Sequence, residues 1–341
     1  MRTVALIALA TMMSIPAGGL ARVPLAPGRP DGDAVFSVLT YNVKGLPWPV
    51  AVGRPADLAA IADRLRAMRV RHEAPQIVVL QEAFTADAQA IGRAAGYRYI
   101  VDGPAARTSG RSNRHDALSA GARWWKGETE GKVVGSGLQV LSDYPITDVR
   151  RMAFPPETCA GYDCLANKGA VIVRITIPGG ATPIEIVTTH LNCRKASGVA
   201  DERSDAAYAA QADLMTRFVQ YARDPRYPLI VAGDFNVGHA QARRRSLFRA
   251  IAQRWSSAGA VTDALGEARR RGLPMDPDAI ASWRHAKDLQ IFASGSAAKL
   301  DLIGIAVPFG HDRAGAMLSD HIGYVARYRF SIVRTPGRST A

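Results

Sequence analysis

The chain is poor in cysteine, in aromatic residues and in long apolar runs, and each shortage closes off a class of protein. Three cysteines among 341 residues cannot staple a fold, and a chain of this length with 48% hydrophobic residues buries a core without them. No second Cys/His pair stands at metal-ligand spacing, which argues against a structural zinc site. After the N-terminus, no stretch is long and apolar enough to span a bilayer. No Pro/Gly/Ser-rich linker, composition break or internal repeat divides the chain, so one domain is expected. Acid is also scarce beside base, with 30 Asp and Glu against 43 Lys and Arg, a formal net charge of +13. That excess steers the protein towards polyanions such as nucleic acid, anionic lipid or lipopolysaccharide. Much of it stands in arginine clusters at 64–71, 107–123, 243–245 and 269–271, each read as a solvated face.

Met1-Arg2, an apolar run over 4–17 and the small residues ending at Ala21 have the pattern of a cleavable export signal. The expected organisation is a signal over 1–21, an extension over 22–33, the folded domain over 34–332 and a tail over 333–341. The mature chain is expected to be an exported monomer, in the periplasm or the medium. Cys159–Cys164 and Cys164–Cys193 are both open as disulfides in that compartment, because spacing alone does not decide connectivity.

Strand-like runs, several β-branched and bounded by Gly or Pro, fall at 35–43, 77–81, 137–141, 170–177, 184–189, 229–235, 300–306 and 322–330. Helical spacing appears over 55–69, with Pro55 placed to start the helix, and over 204–221, with Leu214, Phe218 and Tyr221 on one face. Adjacent strands around 178–183 suggest a hairpin, so two mixed sheets packed together with helices outside are expected. Residues 105–121 read as a long surface loop.

Five short stretches put polar groups at the ends of apolar runs: TYNV with Asn42, VLQE with Glu82, TTHLN with His190 and Asn192, AGDFN with Asp234 and Asn236, and LSDH with Asp320 and His321. In layered α/β folds such strand ends converge on one crevice. Carboxylates with carboxamides and water suit Mg²⁺ or Mn²⁺ rather than zinc, and Glu82 at the end of an Ile/Val/Leu strand needs a cation to offset its desolvation. Asp234 and Asn236, two apart, are expected to face one site and hold a water, unless they close an Asx turn. His190 can donate to charge developing on a phosphoryl group. Asp301, in the apolar run at 300–303, is the expected orienter of His321, which then acts as a base.

Together these stretches resemble the endonuclease/exonuclease/phosphatase superfamily, the DNase I-like fold, over nearly the whole mature chain. The resemblance implies a four-layer α/β/β/α sandwich of two mixed sheets flanked by helices, and Mg²⁺-dependent cleavage of a phosphodiester. It implies Asn42, Glu82 and Asp320 at the metal, His190, Asp234, Asn236, Asp301 and His321 as catalytic residues, and Asn192 at phosphate. Either Asp234 or His321 would take the water's proton. The loop Asp163-Cys164-Leu165-Ala166-Asn167-Lys168-Gly169 and the run Tyr41-Asn42-Val43 with Leu46-Pro47 are similar to neutral sphingomyelinases. That branch implies Asp163 and Lys168 at the substrate phosphate, and a phospholipid or sphingolipid headgroup as partner, with peripheral membrane contact. The alternative is a secreted metal-dependent endonuclease acting on DNA or RNA. Secreted sphingomyelinases carry an aromatic hairpin near the C-terminal histidine, whereas here only 307–319 separates the last two site strands. Trp48 and the Trp124-Trp125 pair are left as interfacial anchors or core residues.

Overall fold

The computed structural model describes residues 33–110, 121–180, 182–255 and 261–333. The export signal, the rest of the extension up to residue 32, the tail from 334 and most of the 105–121 loop lie outside the described residues.

Two six-stranded sheets pack face to face. The first holds β1 (Ala34–Gly45), β2 (Ile77–Ala83), β3 (Tyr99–Asp102), β4 (Gln139–Ser142), β11 (Ala298–Phe309) and β12 (Gly323–Ile332), in the order β11-β12-β1-β2-β4-β3. The second holds β5 (Ile146–Ala153), β6 (Gly169–Ile175), β7 (Ile184–His190), β8 (Leu229–Asp234), β9 (Thr262–Asp263) and β10 (Asp288–Ala293), in the order β5-β6-β7-β8-β10-β9. Among the described strands only β1/β2 and β7/β8 pair in parallel; each sheet is therefore mixed, as expected. Each parallel pair needs a crossover, supplied by α1 (Arg54–Val70) and α3 (Asp201–Ala222). With α2 (Ala86–Ala94) beside α1 and α4 (Gln241–Trp255) beside α3, helices cover both outer faces and complete an α/β/β/α sandwich. The short α5 (Ala264–Arg270) and α6 (Pro277–His285) lead into β10.

The two-residue period of the strands sorts the core into layers. Phe36 and Val38, Ile77 and Val79, Ile184 and Ile186, and Ile230 and Ala232 fill the seam between the sheets. The alternate residues Leu39, Tyr41, Val43, Val78 and Leu80 pack under Leu58, Ile61 and Leu65 of α1. Val187, Val231 and Ile291 pack under Tyr208, Met215 and Val219 of α3. Both expected helices form, but the buried face of α3 runs through Tyr208, Met215, Val219 and Ala222, while Tyr221 is 79% exposed. Small alanines at 207 and 212 let the helix sit close to the sheet along that stripe, which moves Leu214 and Phe218 to its flank.

β3, β5, β9 and β10 carry no strand expectation from sequence, and β10 matters most because it begins with Asp288. The cysteines pair as Cys159–Cys164, leaving Cys193 free. No helix among the described residues is long and apolar enough to cross a membrane. Arg243 departs from the solvated-face expectation: it is fully buried, and its guanidinium donates to Asp205, the Ser204 hydroxyl and the carbonyls of Asn192 and Asn236.

Candidate active site

The rows that fill the seam end in polar residues. Continuing the inward parity of each strand places Asn42 after Val38, His190 after Ile186, Asp234 after Ala232, and Asp288 beside Gln290 and Phe292, all at one end of the sandwich. Glu82 is out of phase with the inward residues of β2. It joins the others because its backbone is left-handed, with φ of 56°. A carboxylate residue in that region is uncommon and carries strain that the surrounding contacts must hold.

Asn42 is the hub. Its Nδ2 donates to Glu82 Oε1 at 3.0 Å and to Asp234 Oδ2 at 3.0 Å, while Lys44 N donates to its Oδ1 at 3.0 Å. The Asn42 carbonyl accepts from the Ser319 hydroxyl at 2.7 Å, and buried Arg54 donates to the carbonyls of Val43 and Leu318, each at 2.8 Å. These bonds tie the end of β1 to the loop carrying Asp320 and His321. Asp320 stands at the rim and pairs with Lys44 at 3.1 Å.

His190 Nε2 lies 3.5 Å from Asp234 Oδ2 and 4.0 Å from Glu82 Oε1. Lys168 Nζ donates to that nitrogen at 3.2 Å, so the ring proton of neutral His190 sits on Nδ1. Burial, then the nearby Lys168 and His321 cations, hold His190 well below the usual histidine range, hence neutral. Lys168 also donates to Asp163 Oδ2 at 2.8 Å and to the Leu191 carbonyl at 3.1 Å. Asp163 sits in the short turn closed by the Cys159–Cys164 disulfide, and accepts from Cys193 N at 2.6 Å. It braces the lysine from behind.

His321 corrects the sequence reading. Its Nδ1 bonds Asp288 Oδ2 at 2.8 Å, and its Nε2 lies 3.7 Å from Asp234 Oδ2. Asp301 is exposed on β11 opposite Arg329, because Leu300 and Leu302 take the inward positions there. Burial opposes charge on His321, but the Asp288 and Asp234 carboxylates outweigh it and lift its pKa to about 10. Burial pushes Asp234 up to about 6 against the pull of His321, and likewise raises Glu82.

Two other expected residues serve the frame. The amide of Asn192 accepts from Ala160 N at 3.1 Å and donates to the Cys193 carbonyl at 2.9 Å, so it faces backbone rather than the cleft. Asn236 follows the end of β8 with φ of 49°, and its N–H bonds Asp234 Oδ1 at 2.9 Å. The Asx turn weighed against a shared strand face is the one that forms. The Asn236 side chain donates to the Leu191 carbonyl at 3.0 Å.

Glu82, His190 and Asp234 bring ligand atoms within 4.8 Å of one another, and Asp234, Asp288 and His321 form a second such group. The first set fits a hard divalent cation. Two carboxylates held close in a dry site raise each other's cost of ionisation, and a cation relieves it. His190 Nδ1 is buried without a hydrogen-bond partner, so the ring is fixed by its Nε2 side alone.

The model of the Endonuclease/Exonuclease/phosphatase family matches residues 39–276. No curated protein matches the chain in sequence. Among solved structures, sphingomyelinase C from Streptomyces griseocarneus is 22% identical with a TM-score of 0.54, covering 86% of this chain and 99% of that one. A beta toxin mutant from Staphylococcus aureus with bound magnesium ions is 16% identical with a TM-score of 0.56, covering 85% and 98%. TDP2 from D. rerio, complexed with single-strand DNA product, is 16% identical with a TM-score of 0.55, covering 86% and 98%. At these identities the likeness is one of fold.

Proposed function

The chain belongs to the Endonuclease/Exonuclease/phosphatase family and is a metal-dependent phosphoric diester hydrolase; on that premise we propose that it is exported and cleaves a phospholipid headgroup in the manner of a sphingomyelinase or phospholipase C, with Mg²⁺. The observation that carries this reading is the Asp163–Lys168 clamp. It sets a buried ammonium beside His190, in the loop that resembles neutral sphingomyelinases. Exposed aromatics at the same end support it: Trp48, next to the end of β1, is 80% exposed, and Trp124 67%. Such side chains suit an interface that is apolar on one side and wet on the other.

Glu82, Asp234 and His190 would hold the cation, and Mg²⁺ bound there would supply Lewis-acid stabilisation of charge on the phosphoryl group. At neutral pH Asp234 is ionised and His321 is protonated, so Asp234 takes the proton of the attacking water. The water oxygen bonds phosphorus, the far P–O bond breaks, and His321 Nε2–H gives its proton to the leaving oxygen. Asp288 keeps that ring oriented. The Lys168 ammonium, held beside His190, sets positive potential where charge builds on the phosphoryl group.

The test is Mg²⁺-dependent release of phosphocholine from sphingomyelin vesicles by residues 22–341, beside plasmid nicking in the same buffer. Release without nicking, lost in Lys168→Met, supports the lipid reading. Nicking alone moves the protein to the endonuclease reading, which the net charge of +13 favours.

A further inference from the structure

The irregular segment between β3 and β4 buries a carboxylate that takes no direct part in the reaction centre. Thr129 and Glu130 are exposed, yet the side chain of Glu128 beside them is only 2% exposed. Burying a carboxylate is costly unless donors surround it. Glu128 has three: Gly161 N and Arg123 N, each at 2.6 Å, and Arg203 of α3 at 3.0 Å. Gly161 begins the short turn Gly161–Leu165 that carries Asp163. The same segment holds the far end of that turn, where Lys132 donates to the Cys164 carbonyl at 2.9 Å and Val133 N to the Leu165 carbonyl at 2.7 Å. Gly161 has φ of 64°, and a Cβ there would lie 1.8 Å from the Ser197 carbonyl oxygen, so the turn is seated closely on its other side as well.

What the turn presents to the cleft is Asp163, which among the described residues is the one carboxylate paired with Lys168, at 2.8 Å. A lysine ammonium sits on a flexible four-carbon stem, so its partners decide where it stands. Those partners are Asp163, the Leu191 carbonyl and His190 Nε2. The Asp163 oxygen that holds Lys168 also accepts from Cys193 N, so a shift of the turn breaks both bonds at once. We propose that Glu128 is a positioning residue for the reaction: through the Gly161 turn it fixes Asp163, and through Asp163 the Lys168 ammonium. This rests on the reading of Lys168 as the cation that faces the phosphoryl group. The contacts run from helix α3 to the cleft, through Arg203, Glu128, Gly161, Asp163 and Lys168 in turn. The two segments that Glu128 joins meet in one isolated bridge, Val134 with Ala166, and in no sheet. Its burial therefore serves the turn rather than either layer of the core.

The test is a double-mutant cycle in kcat on bis(4-nitrophenyl) phosphate with Mg²⁺, using the full mature chain. Lys168→Met sets the loss that follows when the ammonium is gone. Glu128→Ala alone should lower kcat about tenfold or more with KM within about twofold, because a misplaced group forfeits contacts made in the transition state. In the Lys168→Met background the same change should cost less than about twofold, since what it positions is absent. Glu128→Gln keeps one acceptor oxygen and should lose about threefold, again only where Lys168 is present. It carries the cycle if a thermal melt shows that the alanine variant does not fold. Labelling of Lys168 by acetic anhydride, read by mass spectrometry, should be faster in both variants and needs no turnover. Equal losses in the two backgrounds, or Glu128→Ala with kcat within about twofold of the parent, overturn the positioning role. Faster labelling in variants of a parent that hydrolyses no diester leaves the brace on Lys168 standing and overturns the proposed function instead.

Discussion

Asp288→Asn is the substitution that separates the geometry seen here from the one expected from sequence. Asp288 is 4% exposed, and its Oδ2 holds His321 Nδ1 at 2.8 Å. Burial alone would lower the pKa of His321; it stands at about 10 instead of 6.5 because Asp288, then Asp234, stabilise the imidazolium. At about 1.4 kcal/mol per pH unit, that lift is worth roughly 5 kcal/mol in favour of the charged ring. An asparagine keeps the shape but removes the charge, so the pKa of His321 should fall by about two pH units or more, and the ring loses its fixed orientation. Loss of a positioned acid of this kind lowers kcat about a hundredfold. The assay is a pH profile of kcat on bis(4-nitrophenyl) phosphate, with NMR titration of His321 and a thermal melt to confirm the fold. Asp301→Asn, on an exposed strand position, should match the parent in all three. Asp288→Asn activity within threefold of the parent, with His321 titrating unchanged, would refute the assignment.

Three further predictions follow from buried charge. Glu82→Ala removes one of two carboxylates from the cation set and should weaken Mg²⁺ binding about tenfold or more by calorimetry. Arg243→Ala leaves Asp205 and the carbonyls of Asn192 and Asn236 without their shared donor, and should cost about 3–5 kcal/mol in urea unfolding, because a buried network loses its charge partner. Asp263 caps α5 through Gly266 N at 2.7 Å, and burial raises its pKa from 3.8 to about 6. Its folded pKa lies above the unfolded one, so its contribution is full below about pH 4 and lost as pH rises through 6. Between pH 5 and pH 8 that loss is about 1.4 kcal/mol, and Asp263→Asn, which keeps the cap acceptor, should abolish that part of the slope.

Asn42, His190 and Asp234 are legible in the sequence because each ends an apolar row of period two, and the row says which way the side chain points. Glu82 is legible as a carboxylate at a strand end, but its reach into the cleft depends on a left-handed backbone that no side-chain pattern announces. Asp288 has a signal: Asp288, Gln290 and Phe292 alternate with Leu289, Ile291 and Ala293, the spacing of a strand with one polar face. The run is short and follows a helix directly, while Asp301 stands in a longer and more apolar run, and so draws the assignment. Asp301 fails because its neighbours Leu300 and Leu302 own the inward positions, which parity within that same run would have shown. Asn192 and Asn236 look like their catalytic neighbours in sequence. Only the loops that fold back on them reveal that backbone groups occupy their amides.

The charge balance of the cleft explains why one protein carries both a buried acid cluster and a strongly basic surface. Glu82, Asp234 and Asp288 face one another across Asn42 and His321, and Lys168 is already matched by Asp163. His321 alone cannot neutralise three carboxylates, and a phosphodiester entering that field meets repulsion that low local dielectric strengthens. Two remedies act at different ranges. A divalent cation at the carboxylates removes the repulsion at contact, where ligand atoms gather within 4.8 Å. The excess of Lys and Arg over Asp and Glu acts earlier, raising the local concentration of an anionic substrate before contact, and is screened by salt over about 10 Å at 0.1 M. The net charge of +13 therefore belongs to the approach of the substrate, and the buried acids belong to its cleavage.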